Sequence, residues 1–383
     1  VKALDRHFSS VRDVALALRP GYPVYCLRPA EIRRCARMFL DSFSGRVLYA
    51  VKCNPHPLVL DALYTAGIRH FDTASLNEVA LIREAYADAN AYFMHPVKAR
   101  AAIQTAHDVY RVKHWVVDHP SELQKLVEVV PSRHGQAVLV RLATRAFGAA
   151  FELSDKFGAH EDRVAALLGQ VANEGFQPGV AFHVGSQCRD PHAFRDAIQM
   201  VARVLERAAV DIHFLDIGGG FPATYVDDRP PPLGDFMAVV SDHIGGLGLR
   251  GDCVTMCEPG RALVASGCSL LTQVQLRKEN EVYLNDGIYH SLSEARHGHI
   301  RHPVRVLRLD GPVSSNVRPF TVFGPTCDSL DVIDDPIELP DDVREGDWLE
   351  FGQTGAYSNA MRSQFNGFYP QTFVTVDEPP LSA

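Results

Sequence analysis

The sequence predicts an α/β protein in which an eight-stranded parallel (β/α)8 barrel is followed by a second, mostly β domain. Three observations carry this. Between about residue 28 and residue 265, short apolar runs alternate with helical patterns, as in parallel strands joined by crossover helices. Eight such units fit into about 220 residues, which suits a closed barrel better than an open sheet. After about residue 266 the helical period fades, and Val- and Leu-rich runs are broken by Gly, Pro and Asp turns.

In chain order, a helical pattern over Val11–Leu18 and a strand over Tyr22–Leu27 come first. Because they precede the first barrel helix, residues 1–27 are expected to pack with the β-rich residues 266–383, leaving 28–265 as the barrel. Barrel strands are expected near 47–52, 70–74, 91–95, 115–118, 137–142, 181–184, 213–217 and 253–258. The stretches Leu76–Tyr86 and Phe194–Ala208 between them are amphipathic at helical spacing. Strands of the second domain are read in SLLTQVQLRK, EVYLNDG, RVLRL, RPFTVFG, DWLEFG and QTFVTV. There is no internal repeat, and Pro230–Pro232 reads as a loop.

With 46% hydrophobic and 22% charged residues, the chain is able to bury a sizeable core. A net charge of −8 without clustered Lys and Arg argues against nucleic acid and acidic membrane surfaces as partners, and points to small polar metabolites. Eight scattered cysteines lack the paired spacing of a disulfide framework or a zinc ribbon, so reduced thiols in a cytoplasmic protein are expected. No secretory pattern or long apolar run is seen, which predicts neither export nor membrane insertion. The start at Val1 rather than Met reads as a processed or trimmed terminus.

Active sites of β/α barrels are built at the C-terminal ends of the strands. Here strand one ends in Ala50-Val51-Lys52, strand two in Phe71-Asp72 and strand five in Val140-Arg141. Strand six ends in Phe182-His183, strand seven in Asp216 before Gly218-Gly219-Gly220, and strand eight in Glu258-Pro259-Gly260-Arg261. All would face one mouth. Loops after strands seven and eight commonly bind phosphate in such barrels, and glycines with an arginine suit an anion. A triple glycine by itself is more often a plain turn.

A lysine at the end of an apolar strand is costly to bury unless it is neutralised or used. Alone, Lys52 would read as a rim lysine reaching for solvent. Beside a phosphate site and a carboxylate it suits an aldehyde cofactor that forms an imine with its amine. Glu258 is that carboxylate: next to a pyridine nitrogen it favours the protonated ring, a strong electron sink. The other reading of Glu258 is a simple pair with Arg261.

The runs YAVKCNP, FDTAS followed by Glu78, KFG at 156–158, FHVGSQ, LDIGGGFP, CEPGR, GPTCDSLD, GAYS and FNGF occur in this order over nearly the whole chain. Together they resemble the fold-type III, alanine-racemase-like decarboxylases that use pyridoxal 5′-phosphate: the ornithine, lysine and diaminopimelate group. The resemblance implies Lys52 as the cofactor lysine, His183 stacked on the ring and Glu258 at the pyridine nitrogen. It implies Ser186, Gly219, Gly220, Gly260, Arg261 and Tyr357 around the phosphate, Asp72 and Arg141 flanking lysine and ring, and Glu78 as a nearby acid. Outside that context His183 would read as a hydrogen-bonded core histidine. The resemblance also implies a head-to-tail homodimer in which Cys327 and Asp328 reach the other subunit's site, Cys327 as proton donor and Asp328 as partner of a distal ammonium.

Cys-Asp at 327–328, where diaminopimelate decarboxylases usually show Cys-Glu-Ser, leans the substrate toward a plain diamino acid. Against this, the acidic residue that diamine-producing relatives carry after NDGIYHSL falls on His297, with Glu294 as a nearby substitute. Arg296, His297, His299, Arg301 and His302 make that segment basic when the histidines charge, which disfavours a cationic tail. The histidines lack clear ligand spacing, so no metal is expected.

The expected activity is therefore α-decarboxylation of an L-amino acid of ornithine or lysine type, the chemistry of polyamine biosynthesis. The alternative is a larger or non-cationic amino acid from a specialised pathway. A racemase is disfavoured because alanine racemases set an arginine, not a glutamate, against the ring nitrogen. A non-catalytic homologue is disfavoured by Lys52, Glu258, Arg261 and Cys327 occurring together.

Overall fold

Eight parallel strands, Arg46–Ala50, His70–Thr73, Asn90–Phe93, His114–Val117, Ala137–Arg141, Gln177–Ala181, Phe214–Asp216 and Val254–Cys257, each pair with the next in chain order. The last closes onto the first through Met256 opposite Arg46 and Cys257 opposite Val47. The computed structural model of the chain describes residues 6–144, 149–151 and 156–382. Inside the barrel Leu48, Tyr92, Val116, Leu139 and Met256 form a packed plug, while a larger apolar layer joins the strands to the surrounding helices. Burial of each such side chain favours folding by about 1.5–3 kcal/mol before entropy is counted.

The helices start where the sequence supplies caps. Ser75 accepts the Glu78 N–H at 3.2 Å and opens helix Leu76–Ala85, while the Glu78 carboxylate accepts the Ala74 N–H at 2.7 Å, a capping-box arrangement. Ser10 does the same for Val11–Leu18 through the Asp13 N–H.

Two barrel elements differ from the sequence expectation. Strand six runs 177–181, earlier than the expected 181–184, so His183 sits in the loop beyond it. A Cβ at Gly179 would fall 2.8 Å from both Leu139 and the Phe214 carbonyl, so the strand needs glycine to pack there. Strand one stops at Ala50, and Val51–Cys53 form a 3-10 turn that turns Lys52 off the strand end.

A second, mixed sheet holds the rest of the chain. Its strand Val24–Leu27 lies between Thr372–Val376, parallel, and Cys268–Lys278, antiparallel, so the opening segment is woven into this sheet. After strand Trp348–Phe351 the chain returns to the barrel mouth. There the Tyr357 N–H donates to the Cys53 carbonyl at 2.9 Å, and the Asn54 side chain donates to the Gly355 carbonyl at 2.8 Å. Among the described residues no helix is long and apolar enough to cross a membrane, and no three His, Cys, Asp or Glu side chains are grouped to hold a metal ion.

Candidate active site

Four strand ends and the chain after the second sheet meet around one cavity, lined by Lys52, His183, Ser186, Gly220, Glu258, Gly260, Arg261 and Tyr357 among others. Its free volume is small, about 40 Å³. Lys52 Nζ donates to Asp72 Oδ2 at 2.6 Å. Burial works against the ammonium, but Asp72 and Glu258 outweigh it and hold Lys52 protonated, above its ordinary range. Of its side-chain surface 44% remains open, so the amine is reachable.

Glu258 and Asp216 form the opposite wall. Asp216 is fully buried and accepts the Gly218 N–H at 2.8 Å through Oδ1. Its Oδ2 and Glu258 Oε1 are buried and receive no donor from outside the pair. Burial raises both carboxyls, Asp216 to about 7 and Glu258 well above the carboxylate range; the Asp216 charge raises Glu258 further, while the hydrogen bond to Glu258 lowers Asp216. Such a pair keeps one proton between its members at neutral pH. An orphaned carboxyl oxygen in a dry wall is a fitting partner for a protonated ring nitrogen.

His183 accepts the Gly185 N–H on Nδ1 at 3.0 Å, which assigns its proton to Nε2. Burial, then Arg141 and Lys52, press its pKa well below 6.5, so the ring is a neutral, flat surface. Beside it the chain runs through Gly218 and Gly220 at φ +69° and +99°. A Cβ at Gly218 would fall 2.1 Å from the Phe182 carbonyl, and one at Gly220 would fall 2.4 Å from the Gly185 carbonyl. Only glycine fits this cradle, whose backbone can approach an anion closely.

Arg261 is buried at the far end, donating to Glu294 at 2.6 and 2.7 Å and to the Tyr225 hydroxyl at 2.9 Å, with Ser186 Oγ 3.4 Å away. Its guanidinium lies 5.0 Å from the Tyr357 ring centre. The simple Glu258–Arg261 pair is thus replaced by Arg261–Glu294. Glu294, expected to face a substrate's far end, sits on Arg261 instead and does not line the cavity. The charge of a buried guanidinium accounts for that placement.

Other expected residues fall further out. Arg141 stands at the end of strand five, 5.6 Å from the Phe157 ring centre. Glu78 caps a helix behind Asp72. His297 is exposed at the end of the short helix Ser293–His297. The basic character expected of its segment is cancelled locally, because Arg296 pairs with Asp334 and Arg301 with Asp227. The reasoning that a cationic loop repels a cationic tail therefore loses its basis.

Cys327 and Asp328 do not join Lys52 within the chain. They line a separate open groove with Tyr22, Asn285, Phe323 and Phe368, and Cys327 is exposed. Their loop is pinned by Asp331, which accepts the N–H groups of Ile288 and Thr326, each at 3.0 Å. Asp328 accepts the Tyr289 hydroxyl at 2.5 Å. Sequence reasoning passed over Asp331, Tyr289 and Tyr225; the first two lie within CDSLD and NDGIY, whereas nothing in the pattern around Tyr225 pointed to Arg261.

Residues 29–265, more than half of the chain, match the family model described as the pyridoxal binding domain of pyridoxal-dependent decarboxylases. A lysine/ornithine decarboxylase of Selenomonas ruminantium is 33% identical over 347 residues, 88% of this chain and 85% of the relative. The arginine decarboxylase of Paramecium bursaria Chlorella virus, solved with agmatine, superposes with a TM-score of 0.85 at 26% identity, over 96% of this chain and 98% of that one. A lysine/ornithine decarboxylase of Vibrio vulnificus, solved with cadaverine, gives 0.82 at 28% identity, over 97% and 100%. With its lysine, orphaned carboxylate and glycine cradle at one barrel mouth, the chain belongs to the family of pyridoxal 5′-phosphate-dependent decarboxylases.

Proposed function

We propose that this enzyme removes the α-carboxylate of a basic L-amino acid of the ornithine or lysine kind, and does so as a homodimer whose sites are shared between subunits. The observation that carries the chemistry is the Lys52 ammonium on Asp72 at 2.6 Å, in one cavity with the partnerless Glu258 oxygen and the Gly220–Arg261 end. Lys52 would carry the cofactor, His183 and Arg141 flank its ring, and Ser186, Gly219, Gly220, Gly260, Arg261 and Tyr357 hold its phosphate. Pyridoxal phosphate, when bound, supplies the electron sink for the bond to CO₂.

Every other task falls to the chain. Glu258 keeps a proton at the ring nitrogen. Asp72 holds Lys52 Nζ as an ammonium whenever it is not joined to the cofactor. The walls around His183 exclude water. Cys327 Sγ of a second copy returns a proton to Cα, and Asp328 of that copy pairs with the substrate's distal ammonium. The exposed Cys327–Asp328 groove, rimmed by Tyr22, Phe368 and Tyr369, each more than a third exposed, supports a second copy as its cover. The free state of all eight cysteines supports a cytoplasmic setting.

A larger or non-cationic substrate is the second reading, and its support is His297, an exposed imidazole where related diamine-forming enzymes carry an acid. Mixing Lys52→Ala with Cys327→Ala tests the shared site. Neither variant alone makes the parent's amine, because Lys52→Ala cannot carry the cofactor and Cys327→Ala gives aberrant products; random pairing restores about a quarter of the parent's amine formation if sites are shared, and none if each chain acts alone.

A further inference from the structure

The Arg261–Glu294 pair is more than the phosphate end of the site requires. Both side chains are nearly inaccessible, at 3% and 6%. Glu294 takes one donor from each terminal nitrogen of the guanidinium, and Tyr225 takes another. Arg261 lines the cavity, whereas Glu294 does not, so the carboxylate lies behind the arginine as seen from Lys52. Glu294 is itself fixed: its carbonyl accepts the N–H groups of Gly298 and Ile300, and its segment is tied down by Arg296–Asp334 and Arg301–Asp227.

A buried ion pair presents almost no net charge to a third group. A phosphate dianion approaching Arg261 therefore meets a cation already neutralised and a carboxylate close behind it, in surroundings that screen poorly. The backbone of the glycine cradle and the hydroxyls of Ser186 and Tyr357 would then carry much of the binding.

We propose that Glu294 is the resident counter-ion of Arg261, a positioning residue that keeps the guanidinium paired when no phosphate is bound and weakens the site's grip on phosphate when it is. This rests on the assignment of Arg261 to the phosphate. Glu294 thereby tunes how readily the cofactor exchanges, a role outside the chemical step.

Glu294→Gln separates charge from position, because the amide oxygen still accepts one N–H from Arg261 while the negative charge is gone. The test is thermal melting of cofactor-free protein titrated with inorganic phosphate. Relative to the parent, Glu294→Gln should melt lower without phosphate and respond to about tenfold less phosphate, equivalent to 1.4 kcal/mol. Glu294→Asp, which keeps the charge, should respond near the parent concentration. An unchanged or higher phosphate requirement in Glu294→Gln would overturn the proposal and leave Glu294 a structural or orienting residue. A parent protein that ignores phosphate would instead sink the phosphate assignment, and this inference with it. If Glu294→Gln can be purified only in excess phosphate, its melting on dialysis supports the proposal; precipitation with or without phosphate contradicts it.

Discussion

Asp216→Asn should stabilise the cofactor-free protein more at pH 8 than at pH 5. Asp216 is pushed up from an ordinary 3.8 to about 7, chiefly by burial. An acid whose folded-state pKa is raised binds its proton more tightly when folded, so its contribution is present at low pH and is lost as pH rises from about 4 to about 7. At about 1.4 kcal/mol per tenfold change in proton affinity, the loss is on the order of 4 kcal/mol, more than half of it between pH 5 and pH 7. Asparagine cannot ionise, yet its Oδ1 still accepts the Gly218 N–H. A chain of 383 residues unfolding as one unit has an unfolding entropy of about 0.8 kcal/mol/K, so the melting temperature of the variant relative to the parent should rise by about 3 °C across this range. The assay is melting of both proteins at pH 5, 6, 7 and 8. A difference that stays flat with pH would refute the shared-proton reading of the Asp216–Glu258 wall.

Three more substitutions follow from the same geometry. Glu258→Gln should leave cofactor binding near the parent level but lower kcat at least about a hundredfold, because an amide cannot hold a proton at the ring nitrogen; steady-state CO₂ release with a cofactor titration measures both. Gly220→Ala puts a Cβ 2.4 Å from the Gly185 carbonyl at a φ of +99°, which should cost about 1–3 kcal/mol of stability and weaken cofactor retention on dialysis. Cys327→Ala should still release CO₂ from the amino acid but give aberrant products, seen by mass spectrometry; an unchanged product would remove Cys327 from the mechanism.

The barrel was legible because its strands are apolar runs at a regular interval, and Asp72, His183 and Glu258 stand where such runs end. What stayed hidden was set by contacts between residues far apart in sequence. Glu294 and Arg261 are 33 residues apart, and Arg301 and Asp227 are 74 apart. Each charge was visible, but its partner was not, so the 294–302 segment read as basic when it is locally neutral. Strand six, expected at 181–184, runs 177–181, where Gly179 is a position at which packing leaves no room for a side chain. Cys327 and Asp328 were legible as a motif, yet one chain alone does not bring them to Lys52.

Product mass spectrometry after incubating the protein and pyridoxal phosphate with L-ornithine, L-lysine, L-arginine and meso-diaminopimelate tests the central claim most directly. The account predicts rapid conversion of ornithine or lysine to its diamine, with Lys52→Ala inactive. Cofactor binding at Lys52 without conversion of any of the four would contradict the proposed substrate class and move the search to larger or anionic amino acids around His297.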